Sequence, residues 1–394
     1  MKPVLQKILA VLAGFPLAVG LLFFTFIATW LGTLAQKDIG LLEAQHKYFE
    51  SLVYIGPEEA LFGFLRFPLP GGMLLMSLLA VNLVLGGIVR LRKSWSRAGI
   101  LVMHTGVVML LVAGWVRLEY AEDGSIGLLE GERGDEYVAF HEYEVAVGEI
   151  GAEGVVREWV VADEALRAAS GTSTSTASFA GQPLRLTLSG FALNARVVPA
   201  GVMPGTRSAT VDGFSVQTLK PEAEAEFNLP ACYVTAFREG DSAQGGILWL
   251  GARQPWTVRA ADRTYVIELR KRRYPLPFSI ELVKFTHEYH PGTNMPRHFQ
   301  SDVLVHDGTG APQPQRVRMN EPLRRDGFVA YQHQFRDTGS TQLYSELQVV
   351  KNPADQWPLW SLIVMTAGML AHFVTKLVRW IVRETETLQA GATR

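Results

Sequence analysis

The chain has 394 residues, of which 48% are hydrophobic, and a net charge of −1. Near-neutral charge gives no electrostatic footprint for nucleic acid or an acidic partner. The single cysteine, Cys232, rules out an internal disulfide and CxxC exchange, and no CxxCH, Walker A, HExxH or GxSxG pattern is present, so this chain carries no covalent c-type haem.

The apolar residues collect in four blocks. Ile8 to Gln36 and Phe67 to Val89 contain no charged side chain. Ala98 to Val116 has only His104 as an ionisable group, and Gln356 to Thr375 only His372. A membrane-spanning helix needs ~20 predominantly apolar residues, and backbone groups in lipid must bond internally, so each block is expected to be a transmembrane helix. The first block is too long for the ~7–15-residue apolar core of a signal peptide and reads as a retained anchor, kinked at Pro16.

Flanking charges orient the spans. Lys2 and Lys7 precede the first, Arg90, Arg92, Lys93 and Arg97 separate the second and third, and Lys376, Arg379 and Arg383 follow the fourth. Positive residues favour the cytoplasmic side, which puts both termini in the cytoplasm. The expected organisation is residues 1–36 as N-terminus and first span, 37–66 as a short outer segment and 67–89 as the second span. A basic cytoplasmic loop follows at 90–97, then the third span at 98–116. Residues 117–355 form an extracytoplasmic domain, 356–375 the fourth span and 376–394 a cytoplasmic tail. The setting is the cytoplasmic (inner) membrane, with the chain passing through the bilayer several times.

The long outer segment carries mostly strand patterns. Tyr265, Ile267 and Leu269 alternate with Val266, Glu268 and Arg270, and Leu343, Leu347 and Val349 share a face opposite Glu346 and Gln348. Turn signals recur at Asp307-Gly308, Asp326-Gly327 and Thr338-Gly339. Ser170 to Ser178 reads as a flexible loop and Pro221 to Pro230 as an acidic one. The expected fold class is an integral membrane α-helical protein with a large mainly-β domain. That domain is a sandwich or open barrel, divided into two lobes near the Ser170–Ser178 stretch.

The histidines inside the spans need an explanation. Ionisable groups in membrane helices are costly and usually face a bundle interior or a cofactor. His104 lies about 10 Å in from the cytoplasmic end of the third span, and His372 about 6 Å from the same surface. Neutral imidazole ligates haem iron well. The competing role is a hydrogen bond to a neighbouring helix, and for His372 simple access to interfacial water. In the outer domain, His287 and His290 are three apart, so on a strand they point to opposite faces and make a poor metal pair. Arg324 and Arg325 suit carboxylates but also suit a solvated turn.

Ordered along the chain are Leu31-Gly32-Thr33-Leu34-Ala35-Gln36 and His104-Thr105-Gly106 with Leu110-Leu111. Later come Tyr289, Pro291-Gly292-Thr293, Ser301-Asp302, Asn320, Pro322-Leu323, Gly327 and Tyr331-Gln332, then Val349-Val350-Lys351-Asn352-Pro353. Together they resemble the ResB family, also called CcsB, of system II cytochrome c biogenesis. The resemblance implies a haem-handling subunit of a cytochrome c synthetase complex, non-catalytic by itself. With a CcsA-type membrane partner it moves haem b outward for covalent attachment to apocytochrome c. It implies that His104 is an axial ligand to the haem iron. His372 matches no family motif position and stands as a second candidate haem-binding residue. Two other readings stay open: a membrane cytochrome b with His104 and His372 as its pair, and a haem-free scaffold for apocytochrome c.

Overall fold

The computed structural model describes residues 2–56, 67–152, 154–200, 210–238, 243–293, 295–308, 310–337 and 343–392. The chain divides into two compact units, Met1–Ala121 with Asn352–Arg394, and Glu122–Lys351. Among the described residues, four helices are long and apolar enough to cross a membrane: Phe15–Ile39, Gly72–Val89, Trp95–Tyr120 and Trp357–Thr387. The expected turn at Thr338-Gly339 and residues 57–66 of the short outer segment lie outside the described residues.

The first apolar block is broken rather than kinked. Helix α1 (Lys2–Leu12) ends before Gly14, and α2 (Phe15–Ile39) starts afresh with Pro16 in its first turn. Proline is tolerated there because its missing N–H would have no helical partner. A short helix α3 (Leu41–Ala44) and a π turn, Gln45–Phe49, follow. Strands β1 (Val53–Gly56) and β2 (Phe67–Pro70) then pair as a small hairpin. The second span therefore begins at Gly72 and not at Phe67, since Pro68 and Pro70 hold the backbone extended. It starts as α4 (Gly72–Asn82) and ends as a π turn, Leu83–Val89. Helix α5 (Ala98–Tyr120) passes the expected end at Val116.

The second unit is mainly β. Strand β3 (Glu122–Leu129) is followed by β4 (Arg133–Gly151), β5 (Gly154–Val161), helix α6 (Asp163–Ala168), β6 (Thr174–Ser178) and β7 (Leu184–Ala192). Strands β8 (Ala195–Pro199) and β9 (Phe214–Thr218) pair with each other. Then come β10 (Ala231–Arg238), β11 (Gln244–Trp249), β12 (Trp256–Ala260) and β13 (Arg263–Tyr289). Strands β14 (Pro296–His306), β15 (Gln313–Arg318), β16 (Leu323–Arg325), β17 (Phe328–Asp337) and β18 (Leu343–Lys351) complete the unit. Helix α7 (Trp357–Ala392) closes the chain and runs through the expected tail without a break at Thr375.

Among the described residues, two large cores form in this unit, beside a smaller cluster of Ala192, Ala195, Val216 and Ala231. The first lies between the four-stranded sheet β11-β10-β7-β6 and the parts of β4 and β13 that carry Val145, Val147, Tyr265 and Ile267. The second is enclosed by the ten-stranded sheet, ordered β15-β14-β13-β4-β3-β18-β17-β16 along its main path, whose inward residues include Ile126, Ile280, Val303, Val317, Leu323 and Leu347. The sheet curls until Arg325 donates to Gln313 Oε1 at 2.8 Å, but no ladder closes it.

The division into lobes does not fall at Ser170–Ser178. That stretch contains β6, an edge strand paired to β7, because its small β-branched threonines meet a ready ladder. Strands β4 and β13 instead run through both cores, with register shifts between Lys271 and Arg273 and between Pro275 and Ile280 where β13 crosses over. Bulges of this kind re-aim a strand from one core to the next. The Asp326-Gly327 turn is a two-residue hairpin loop with φ of 50° and 83°, joining Arg325 to Phe328.

Candidate functional site

Helix α5 meets two neighbours through different faces. Its buried residues Gly99, Gly106 and Ala113 repeat every seven positions and face α7, where Ser361 and Gly368 repeat in the same way. A Cβ on Gly368 would lie 2.5 Å from Met103 N and 2.7 Å from Gly99 O. One on Gly106 would lie 2.6 Å from Met365 Cγ. A side chain at either glycine would thus clash, and the close approach of the two helices is one that only small residues permit, the usual basis of helix packing in lipid.

His104 lies off this seam. At 3.6 residues per turn, Met103 and Gly106 fall within about 40° of Gly99 around the helix axis, while His104 is about 140° away. Its Nδ1 is 2.9 Å from the carbonyl oxygen of Gly87. A carbonyl can only accept, so Nδ1 donates, and in the neutral ring the lone pair is then on Nε2. Metal-binding histidines are typically held this way, with one ring N–H donated to a backbone carbonyl. The carbonyl is free because Gly87 lies in the last turn of the span, where C=O groups have no helical partner. The π turn Leu83–Val89 widens that end of the helix. A Cβ at position 87 would stand 2.6 Å from His104 Nδ1, so a larger residue there would push the ring off its carbonyl.

His372 is placed differently. Its backbone nitrogen would be 2.6 Å from a Cβ on Gly99, so it lies in the glycine seam about five residues below His104 on α5. Its Nδ1 is buried and, among the described residues, has no hydrogen-bond partner, and the same holds for Ser361 Oγ on the same helix. The two span histidines therefore occupy different faces of α5 and do not face each other.

Further along the His104 face, α2, α4 and α5 surround an apolar cavity of about 510 Å³. Leu111, Trp115 and Leu118 line it from α5, and Met73, Ser77 and Ala80 from α4. Leu111 follows His104 by seven residues, about 10 Å along the axis on the same side. Gly114 also lines this cavity and has open space at its Cβ position, so it takes no part in the α7 seam.

Several contributors were not visible in the sequence. Asn82 is buried and donates from Nδ2 to the carbonyls of Leu12 and Gly14, at 2.6 and 3.0 Å, tying α4 to the break between α1 and α2. An amide in an otherwise apolar span was the available signal, because such a group must find a partner in lipid. Gly87 gave no signal of its own.

In the β unit, the residues quoted from the outer domain build structure. Ser301 Oγ donates to Gln332 Oε1 at 2.7 Å, and Gln332 Nε2 donates to Ser345 Oγ at 2.9 Å, joining β14, β17 and β18 inside the curled sheet. Asp302 pairs with Arg316 at 2.8 Å. Tyr137 donates to Glu122 at 2.9 Å and stacks on Tyr274, and burial, then the Glu122 hydrogen bond, pushes the Tyr137 hydroxyl well above its ordinary value. Burial pushes the Cys232 thiol up to about 12, which makes it inert at neutral pH.

The outer histidines do not converge. His287 stacks between Phe285 and Phe335, His306 pairs with Glu281 at 2.8 Å, and His298 reaches Gln300 at 3.3 Å. His333 packs against Phe140, which also contacts His141, and His290 anchors the turn at Gly292 through its backbone. Among the described residues, no three His, Cys, Asp or Glu side chains gather as a metal site. Arg325 is engaged within the chain by Asp307 and Gln313.

Comparison with known proteins bears on what this arrangement serves. Residues 88–343 match the model of the ResB-like family, well over half of the chain, in a stretch that takes in His104 and ends before His372. A 77-residue stretch is 34% identical to the cytochrome c biogenesis protein CcsB of Synechococcus sp. (strain RCC307). That alignment covers 18% of this chain and 18% of the relative, so the similarity spans less than a fifth of either protein.

Proposed function

Because this chain belongs to the ResB-like family, we propose that it serves cytochrome c biogenesis as a haem-handling membrane subunit. In this reading His104 Nε2 is an axial ligand to the iron of haem b, the cargo. A CcsA-type partner supplies the opposing ligand and the attachment site, and apocytochrome c receives the haem outside the inner membrane. Both termini lie in the cytoplasm and the β unit lies outside, following the positive charges at Arg90–Arg97 and Lys376–Arg383.

The observation that carries the proposal is the hydrogen bond from His104 Nδ1 to the Gly87 carbonyl. It fixes the tautomer that ligates through Nε2 and holds the ring without a second protein partner at that nitrogen. The residues fit the group. Haem supplies a ligand-accepting iron within a large apolar ring, and the cavity of about 510 Å³ on the same side of α5 supplies apolar surface. This chain's part is to hold the iron at one atom, to exclude water with apolar walls, and to keep Nδ1 protonated through the carbonyl.

The experiment is His104→Ala in the complex purified with its CcsA-type partner. The expected result is lost or spectrally altered haem and reduced cytochrome c maturation, with partial rescue by added imidazole. Normal haem content and normal maturation in that variant would remove the proposal and leave a scaffold role. The rival reading, a cytochrome b built on His104 and His372, has less support because the two residues occupy different faces of α5. It predicts that maturation persists in a deletion strain while electron transfer fails.

A further inference from the structure

The loop between α4 and α5 encloses a second cavity, of about 320 Å³, with a different chemistry. Arg92, Lys93 and Arg97 line it together with Trp95, and no acidic side chain does. Among the described residues none of these three cations has an ion-pair partner. The start of α5 adds to the positive potential. Neither Ser94 nor Arg97 makes a side-chain capping bond, and the first turn carries no acid. Three cations that line one concavity with no acid among them make an anion site. Trp95 is 92% exposed at its mouth, an amphipathic ring suited to a membrane interface.

The position of this cavity matters more than its charge. Leu91 and Leu101 also line it. Leu91 follows Gly87 by four residues, past the end of the π turn at Val89, and Leu101 lies about one turn before His104, so the cavity sits at the basic end of the α4–α5 pair. The helix pair thus offers a ring nitrogen at one level and, at Arg97 seven residues away, a cation about 10 Å further toward the basic end. A molecule that spans both has a Lewis-acidic centre, an apolar body and anionic oxygens along one edge.

We infer that Arg92, Lys93 and Arg97 bind the two carboxylates of the ring whose iron His104 ligates, so that the basic loop and the span histidine are two ends of one site. The inference rests on the haem reading of His104. The chemistry recognised is an anionic oxygen acid on an apolar body, which an anionic lipid headgroup also presents. The ring is the occupant proposed, because its iron and its carboxylates lie about as far apart as His104 and Arg97 do along α5. Guanidinium groups at Arg92 and Arg97 suit the planar carboxylate better than a lysine pair would.

The test compares ferric protoporphyrin IX with its dimethyl ester, titrated by absorbance into the full chain in nanodiscs. One set of discs contains zwitterionic lipid alone, and the other adds phosphatidylglycerol. The free acid should bind the unaltered chain about ten-fold more tightly than the ester in both lipids, the scale of one or two charge-assisted contacts near a surface. The triple variant R92Q/K93Q/R97Q should erase that preference without changing the band that depends on His104. Equal affinities for acid and ester in the unaltered chain overturn the inference, and this arm needs no variant to fold or insert correctly. A preference that vanishes when phosphatidylglycerol is present assigns the cavity to lipid headgroups and also overturns it. Failure of the haem reading looks different: His104→Ala would leave the ester's spectrum unchanged.

Discussion

Against α7, helix α5 presents glycines that let two backbones touch; against the end of α4, it presents an imidazole that donates to a carbonyl. The first face is built for proximity and tolerates an unsatisfied histidine nitrogen and serine hydroxyl within it. The second spends its glycine on giving a side chain one orientation. Small residues alone therefore do not mark a functional face in a membrane helix. A glycine whose carbonyl holds a side chain differs in kind, because a larger residue there changes that side chain's orientation and not only a distance between backbones. The β unit shows a third arrangement: Arg270 lies between Glu144 at 2.8 Å, Glu158 at 2.7 Å and Glu268 at 3.2 Å, so the buried Glu144 is neutralised in place.

That contrast can be broken most forcefully at Arg270. Arg270→Ala leaves Glu144, only 3% exposed at its side chain, without its counter-charge. Loss of one partner of a buried pair costs about 3–5 kcal/mol. Thermal unfolding followed by circular dichroism should show the β signal melting early. Replacing both residues with apolar ones of similar volume should restore most of the midpoint, and no recovery would mean the network does more than neutralise charge.

The next largest effect should come from the seam. Gly368→Ala drives a Cβ into the backbone of Met103, and such overpacking costs about 1–3 kcal/mol. The helical unit should lose stability in detergent, read by its aggregation temperature, while any haem band keeps its position. A shifted band with unchanged stability would join the seam to the ligand and dissolve the distinction between the two faces.

Gly87→Ala sharpens the comparison from the other side. The same methyl, now 2.6 Å from His104 Nδ1, should cost about 1 kcal/mol but move or weaken the haem band, because the ring must rotate off its carbonyl. Stability and spectrum should thus respond in opposite proportion to Gly368→Ala. Smallest of all, His372→Ala should alter stability by less than about 1 kcal/mol and leave haem content unchanged, since it removes a nitrogen that has no partner. Loss of haem in His372→Ala, with His104→Ala intact, would move the ligand to α7.

Much of this molecule was legible as pattern. Runs without charge marked the spans because lipid penalises charge wherever it sits, and strand alternation put Tyr265, Ile267, Leu347 and Val349 inside because a pleat alternates whatever it packs against. His104 stood out for the same local reason, an ionisable group in an apolar run. What the sequence could not determine were relations between distant segments. Nothing local says that the Gly87 carbonyl would be left open by a π turn and meet His104, or that His372 would lie in a glycine seam on the opposite side of α5. The threonines of β6 became a strand only because β7 offered a ladder, and the two cores divided along β4 and β13 rather than at a flexible stretch. Hydropathy and alternation are set residue by residue, whereas hydrogen-bond partners and helix faces are set by whichever backbone arrives opposite, and that is decided only when the chain packs.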